Sequence, residues 1–435
     1  RYDREDVYPK ENLLSMKRGW ETLRREVLET GLCCGCGTCV GVCPSGALRI
    51  DLQHSYKPVV DPDACTACGL CSAVCPGRGY PVVRWTQQAS GGRSVDRQLG
   101  PARDFLMGEA RDADLRELAA SGGVATALLL HCLEQGQVDE VAVVQLRDNR
   151  PVVLLTADPA EVHAAAQSKY GPVPVMQIIA ELCRRPRRIA ITCTPCQLGG
   201  WMRATERLPA LRECLQLSVG LFCGYVQSYD ALPAIAATAG VPDFTGVEFE
   251  GWRCGPFPGS ARFKLPDGRR VDKKVYAAYD VAIPHFSLQR CFLCPDGGNW
   301  LADVTLGDYH AGGLSQTVIV CRTARGAGAL QSAQQAGRIE LRPMTDAEVR
   351  TCSISRMATA KLLPALHCIA WRRAKGLAVP EFDYPPVQRS RLGWLAVWRY
   401  RMILWARCGW RSCRRRIPKR CRRSPRSNRP FGRRD

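Results

Sequence analysis

The sequence predicts a mixed α+β and α/β protein: a small cysteine-rich unit with short strands, then a larger mixed α/β domain. Two runs near the start hold four cysteines each at identical spacing, with strand-like pieces between them too short for a large sheet. From about residue 100 to 350, β-branched apolar stretches alternate with segments of helical period. At 435 residues and 46% hydrophobic content, the chain can build two or three domains with a sizeable core.

The first run, "CCGCGTCVGVCP", contains Cys33, Cys36, Cys39 and Cys43 before Pro44. The second, "CTACGLCSAVCP", contains Cys65, Cys68, Cys71 and Cys75 before Pro76. Both read C-x2-C-x2-C-x3-C-P. Three close thiolates can wrap one corner of a 4Fe–4S cubane, while the fourth reaches across to the other cluster. One cluster then takes Cys33, Cys36, Cys39 and Cys75, and the other Cys65, Cys68, Cys71 and Cys43. Small residues (Gly35, Gly37, Ala67 and Gly69) let backbone N–H groups approach the sulfurs. Zinc knuckles are the competing reading, but zinc rarely uses four cysteines this close together. Cys34 is an extra thiol, expected not to be a ligand. The segment resembles the bacterial-type two-cluster ferredoxins, with "ALRIDL" and "YKPVVD" as its short strands. Residues 1–84 are assigned to this unit and its lead-in, and the polar stretch 85–99 to a linker.

In the larger domain, residues 100–375, "AASGGVATALLLHCLEQG" predicts a helix capped by Ser121 with Gly122 and Gly123 in its first turn. Such an opening admits an anionic ligand to bare N–H groups; a helix merely capped by Ser and packed by Gly is the plain alternative. Ser168, Lys169 and Tyr170 form a cationic loop in which Lys169 holds a phosphate or carboxylate, or is simply solvated. "VDEVAVVQL", "VVLLT", "RRIAITC", "LQLSVGLFC", Val304–Leu306 and "QTVIVCRT" read as strands. "TCTPCQ", with Cys193 and Cys196, is by itself a redox dithiol, half a zinc site, one corner of a cluster, or two packed thiols.

The segments "ASGGVATALL", "SKYGPV", "TPCQ", "GLFCG", "CFLCPDGGNWLADVTLGD" and "TVIVCRT" occur in the order found in the family of coenzyme F420 hydrogenase/dehydrogenase beta subunits, which this part of the chain resembles. The resemblance implies a ferredoxin-like two-cluster domain followed by a mixed α/β flavin domain. It implies FAD lined by Ser121, Gly122, Gly123 and Thr126, with Ser168, Lys169 and Tyr170 near its phosphates or the coenzyme. It also implies a third 4Fe–4S cluster on Cys196, Cys223, Cys291 and Cys294. Cys193 departs from the family, which has Gly there, and is expected to be a packed bystander; His310 after "GDY" is a second departure. The implied activity is hydride exchange between coenzyme F420 and FAD, with single electrons passing through clusters to a redox partner, either a ferredoxin or another oxidoreductase subunit. Two alternatives are a ferredoxin-dependent reductase of an organic substrate, like the plant 7-hydroxymethyl chlorophyll a reductase of the same superfamily, and a non-catalytic relay subunit. No Ser/His/Asp triad or paired-carboxylate site stands out.

The formal charge of +20 is concentrated at one end. From Arg389 to Asp435 there are 17 Lys/Arg and one acidic residue, a net of +16, which leaves +4 for the rest. A whole-chain nucleic-acid binder would be basic elsewhere too, so nucleic acid is not the expected partner. Within the tail, residues 376–435, Trp394, Val397, Trp398, Met402 and Trp405 fall near helical spacing with arginines between them. The tail is therefore expected to dock on an anionic membrane or a partner, or to pack on the domain, with a disordered basic end from Arg414. Cysteines at metal-ligand spacing, a charged start and no 18-residue apolar window predict a cytoplasmic protein, peripheral at a membrane at most.

Overall fold

The structure is a computed structural model describing residues 19–89, 99–256, 258–309, 316–388 and 390–416. Each cysteine run folds as a tight loop followed by one helical turn, Thr38–Gly41 or Leu70–Ala73. Both turns start from a left-handed glycine, Gly37 at φ 84° and Gly69 at φ 82°, where any side chain would be strained. Between the runs β1 (Leu48–Arg49) pairs antiparallel with β2 (Val59–Val60), as the sequence predicts.

The larger domain begins with β3 (Asp104–Ala110), β4 (Glu140–Arg147), β5 (Arg150–Thr156), β6 (Ile189–Cys193) and β7 (Leu215–Leu221). Strands β8 (Glu248–Cys254), β9 (Ser260–Lys264) and β10 (Arg270–Lys274) form a separate three-stranded antiparallel sheet. The chain then returns through β11 (Val304–Tyr309), β12 (Gln316–Cys321) and β13 (Ile339–Pro343). The main sheet runs β13-β3-β12-β11-β7-β6-β4-β5; β4, β6, β7 and β11 are mutually parallel and the outer pairings antiparallel. Nearly continuous apolar runs such as "IAI" in β6 suit strands covered on both faces. Leu128, Leu129, Ile319 and Leu330 pack one face under helices Val124–Glu134 and Ala324–Gln335. Ile189, Ile191, Leu198 and Trp201 pack the other under helix Pro195–Arg207. Each fully buried Leu or Ile stabilises by roughly 1.5–3 kcal/mol relative to exposure.

The small unit is seated on this domain. Helix Pro195–Arg207 presents Gly200, where a Cβ would overlap the Thr38 hydroxyl. Tyr80 donates to the Pro195 carbonyl (3.0 Å), and Met176 N–H donates to the Cys36 carbonyl (2.9 Å).

Two boundaries differ from the sequence expectation. Residues 85–89 are not linker but the end of helix Val82–Ala89, because Val82 and Trp85 bury one face against Tyr80 and Trp300. The Asp383 carboxylate accepts from the Val83 and Arg84 N–H groups at its start (2.9 and 2.8 Å). Nor is the tail loose from residue 376: Glu381 N–H donates to the Arg78 carbonyl (2.8 Å), and Ala378, Val379 and Phe382 pack on the cysteine-rich unit. Residues 417–435, with Cys421 among them, lie outside the described residues, as do the side chains of Cys408 and Cys413.

His131 joins the two helices on the first face through a bond between its Nε2 and Ser332 Oγ (2.8 Å). Burial holds its pKa below the ordinary value, against a smaller opposing pull from Glu134. The unfolded chain thus takes up the proton at higher pH than the native one. The stability His131 contributes is present above about pH 6.5 and is lost as pH falls through its lower native value. The expected result is that the wild-type urea midpoint drops between about pH 7 and pH 5 more steeply than that of His131→Gln. Equal slopes would remove His131 from the account.

Candidate functional site

Parallel strands of an α/β sheet leave a crevice beyond their carboxyl ends. A cavity of about 540 Å³ occupies that position, bordered by Thr192 and Cys193 of β6, Leu221 of β7 and Leu306–Asp308 of β11. Its volume lies within the roughly 300–1,000 Å³ usual for cofactor sites.

One wall is the turn before helix Val124–Glu134: Ser121, Gly123, Val124, Ala125 and Thr126 all face the cavity. The helix begins later than the sequence suggests. Gly123, at φ 77°, is the residue before the first turn, and no side chain caps it. Ser121 instead meets the Thr317 hydroxyl (3.1 Å), which also accepts the Gly122 N–H (3.0 Å). Gly122 does not reach the cavity, and a Cβ there would sit 2.7 Å from the Gly108 carbonyl oxygen, so strand packing requires this glycine. The first-turn N–H groups of Val124, Ala125 and Thr126 have no helical acceptor. They give this end of the cavity a partial positive charge suited to an anion.

The opposite wall is the loop Gln167–Val175. Lys169 is not a solvated lysine. Its Nζ donates to the carbonyls of Ala165, Ala166 and Gln167 (2.7, 2.6 and 3.0 Å), which uses all three ammonium hydrogens, and burial pushes its pKa down to about 7. It shapes the loop and has no donor left for a phosphate. Ser168 faces the cavity. The Tyr170 ring stands edge-on to Trp252 and Tyr279, both with centroids at 5.6 Å, and its hydroxyl lies 3.3 Å from Arg253 Nη1. Arg253 also donates to Asp308 Oδ2 (2.6 Å). Asp308 sits in the "LGD" motif, but no local pattern marks Arg253 or Tyr279; only the fold of the second sheet, which carries Arg253, and of the helix Val275–Phe286 after it, which carries Tyr279, brings them here. His310 lies outside the described residues.

The floor is made of thiols: Cys34, Cys196 and Cys223 line the cavity, and Cys223 is within electrostatic reach of Cys291, Cys196 and Cys294. The sequence thus brings four separated cysteines to one place. Cys196 lies in the first turn of helix Pro195–Arg207. A hydrogen bond from Cys34 lowers its pKa most; burial opposes this, and Thr194, Arg290 and Lys361 add to the lowering. Cys223 follows β7 by two residues rather than ending it. Cys193 packs among Ile189, Ile191 and Leu198, where burial first of all pushes its thiol pKa up, and its carbonyl accepts from Asn299 (2.8 Å).

Two buried cations flank this floor. Lys361 donates to the Cys223 and Gly224 carbonyls (2.7 and 2.5 Å). Burial disfavours its charge, but Cys223, Cys294 and Cys291 outweigh that and hold its pKa above the ordinary value. Arg290 donates to the Leu293 and Pro76 carbonyls (3.2 and 3.1 Å), linking the floor to the cysteine-rich unit.

Cys34 adds a connection that spacing does not foresee. Its thiol lies close enough to interact with both Cys36 of the first run and Cys196 of the floor. In the runs themselves, Cys33 lies within electrostatic reach of Cys75 and Cys36, and Cys71 of Cys68, Cys43 and Cys75, so the two runs bring their thiols close to one another.

Comparison with known proteins agrees with this architecture. Residues 32–78 match the 4Fe-4S dicluster domain, 105–180 the N-terminal part of the coenzyme F420 hydrogenase/dehydrogenase beta subunit, and 186–347 its C terminus. The chain is 25% identical to coenzyme F420 hydrogenase subunit beta of Methanothermobacter thermautotrophicus, over 65% of this chain and 99% of that protein. It is 24% identical to a subunit of the F(420)H(2) dehydrogenase of Methanosarcina mazei, over 66% of this chain and 78% of that protein. It is also 24% identical to coenzyme F420-dependent sulfite reductase of Methanocaldococcus jannaschii, over 71% of this chain but 47% of that protein. The fold is shared with a chain in the F420-reducing [NiFe] hydrogenase complex from Methanosarcina barkeri, at a TM-score of 0.55 and 21% identity over 66% of this chain and 98% of that one. The chain belongs to the family of coenzyme F420 hydrogenase/dehydrogenase beta subunits and carries a 4Fe-4S dicluster domain ahead of the family domain.

Proposed function

We propose that the chain is an iron–sulfur flavoprotein that exchanges hydride between coenzyme F420 and FAD and passes single electrons to a partner protein. One observation carries the reading: a single cavity has an uncapped helix start at one end and the Cys34, Cys196 and Cys223 thiols at the other. A flavin held there supplies the conversion between two-electron and one-electron transfer that the family's coenzyme and its clusters require of each other.

The residues fit that assignment. Val124, Ala125 and Thr126 offer free N–H groups to the FAD phosphates, with Ser121 and Gly123 bordering the approach. Lys169 shapes the loop on which Ser168 and Tyr170 face the cavity rather than binding phosphate. Tyr276, 54% exposed, lies with Tyr279 on a wall where a flat ring can stack. Cys196, Cys223, Cys291 and Cys294 are the thiolates for a third cluster, and Lys361 and Arg290 offset their negative charge. The cysteine sets run outward from the cavity. The floor meets the first run through Cys34, and the second run holds the half-buried Cys65 and Cys68, the less buried end facing a redox partner.

Anaerobic cofactor analysis is expected to give one FAD and about twelve irons per chain, three cubanes. The loaded protein is expected to bleach the deazaflavin absorbance of F420 with a viologen as the second partner. Full loading without F420 turnover, but with flavin reduced by ferredoxin, would make the chain a reductase of an organic substrate; full iron without flavin would make it a relay.

The thiol assignment is tested separately. Cys196→Ser is expected to lose about four irons per chain, and Cys193→Ser to lose none, as read by iron quantitation and EPR. The reverse pattern would overturn the assignment.

Lys361→Met is expected to keep full iron content but lower the reduction potential of the third cluster by roughly 60 mV. Removing a positive charge disfavours the more negative reduced state. EPR-monitored redox titration reads this, with Lys361→Arg expected to stay near wild type. An unmoved potential would leave Lys361 a purely structural residue.

A further inference from the structure

The C-terminal helix Arg391–Arg416 packs on helix Ser353–Ala374. It turns Gly393, Val397, Tyr400, Ile403 and Leu404 inward, and Tyr400 is almost fully buried. An ordinary packed terminal helix would be polar on its other side. Here Trp394, Trp398 and Trp405 are 66%, 50% and 73% exposed, and Leu395 and Met402 are exposed beside them. At about 100° per residue these five fall within one arc of about 100° on the solvent side. The exposed Arg401 lies at one edge of that arc and the exposed Arg399 at the other. Val397, grouped with this stripe by spacing, belongs to the opposite, buried face.

We propose that this helix docks the protein flat on an anionic lipid surface, with the tryptophan stripe at the headgroup boundary and the arginines on lipid phosphates. Three features favour lipid over other occupants. Tryptophan has an apolar body and a polar N–H, which suits the interface between water and acyl chains. Arginines on both flanks of an apolar arc are the pattern of a helix lying in the interfacial plane. The segment from Arg389 to Asp435 has 17 Lys/Arg against one acidic residue, a charge complementary to anionic headgroups. A second copy of the chain is disfavoured, because pairing the stripe with itself would bring two such segments together. Duplex nucleic acid uses the charge but leaves the three tryptophans in water. Among the described residues no helix is long and apolar enough to cross a membrane, so the contact is one of lying on the surface.

The test uses the full chain and vesicle flotation, with phosphatidylcholine vesicles alone or containing phosphatidylglycerol. Wild type is expected to float with the anionic vesicles, blue-shift its tryptophan emission on binding, and release as salt rises. The variant W394S/W398S/W405S, with far-UV circular dichroism matching wild type, is expected to bind at least about tenfold more weakly. A second variant, R399Q, leaves the tryptophans and the stacking of Arg401 on Trp371 (5.8 Å to the ring centroid) in place and is expected to weaken binding through charge alone, by roughly fivefold. No flotation of wild type with anionic vesicles would overturn the proposal. So would unchanged flotation of the tryptophan variant, a concentration-dependent dimer abolished by that variant, or duplex DNA held more tightly than the vesicles.

Discussion

The site depends on one close contact, that of Cys34 with Cys196. Cys34 stands between two cysteines of the first run, and Cys196 opens a helix of the other domain more than 160 residues later. Bringing them together requires the small unit to sit directly on the carboxyl ends of the parallel strands, with no layer between. Gly37 and Gly200 are where this shows. A Cβ at Gly37 would press on the Pro174 carbonyl, and one at Gly200 on the Thr38 hydroxyl. Interiors are packed too densely to absorb such additions without backbone movement. The glycines therefore act at two levels, shaping the cysteine loops locally and admitting the loop to the other domain.

The same contact explains an unusual density of buried charge. Arg290 is almost wholly buried, and its guanidinium lies over the Phe382 ring with 5.0 Å to the centroid. Lys361 is almost as deeply placed. Isolated cations there would be strongly unfavourable, costing several kcal/mol each even after relaxation. They are tolerated because thiols capable of carrying negative charge surround them and backbone carbonyls accept their hydrogens. Neither residue looks functional in sequence, since a lysine and an arginine at separate places carry no pattern until the thiols are located.

Legibility divides along the same line. Spacing within short segments was readable: the β1–β2 pair and the alternation of strands and helices both follow from local pattern. Residues gathered from distant parts of the chain were readable only where a family motif existed, as for Cys196 and Cys223 on the cavity and Cys291 and Cys294 close to Cys223. Arg253, Tyr279 and Lys361 had no such motif. Lys169 and Gly122 mark the opposite failure, because local rules suggested ligand contacts where the surrounding fold had already taken the donor or filled the space. Ser121 is similar: its hydroxyl is a good helix cap in isolation, but Thr317 on β12 offers a partner that ties the turn to the sheet.

The segment after residue 347, beyond the matched family domain, serves as a clasp between the two units. Helix Ser353–Ala374 supplies Lys361 to the floor of the cavity. The extended stretch after it supplies Asp383 to the start of helix Val82–Ala89, Glu381 to Arg78, and Phe382 to the Arg290 face. Arg78 follows the last cysteine of the second run by three residues, so this stretch grips the small unit close to the thiols themselves. A rigid attachment matters because single-electron transfer requires fixed, short separations between carriers, and a flexible tether could not maintain them. The terminal helix closes the clasp through Tyr400, whose hydroxyl accepts from Arg372 (2.9 Å), and packs beside Phe292 of the cysteine loop. One continuous set of contacts thus runs from the exposed tryptophan helix to the floor of the cavity.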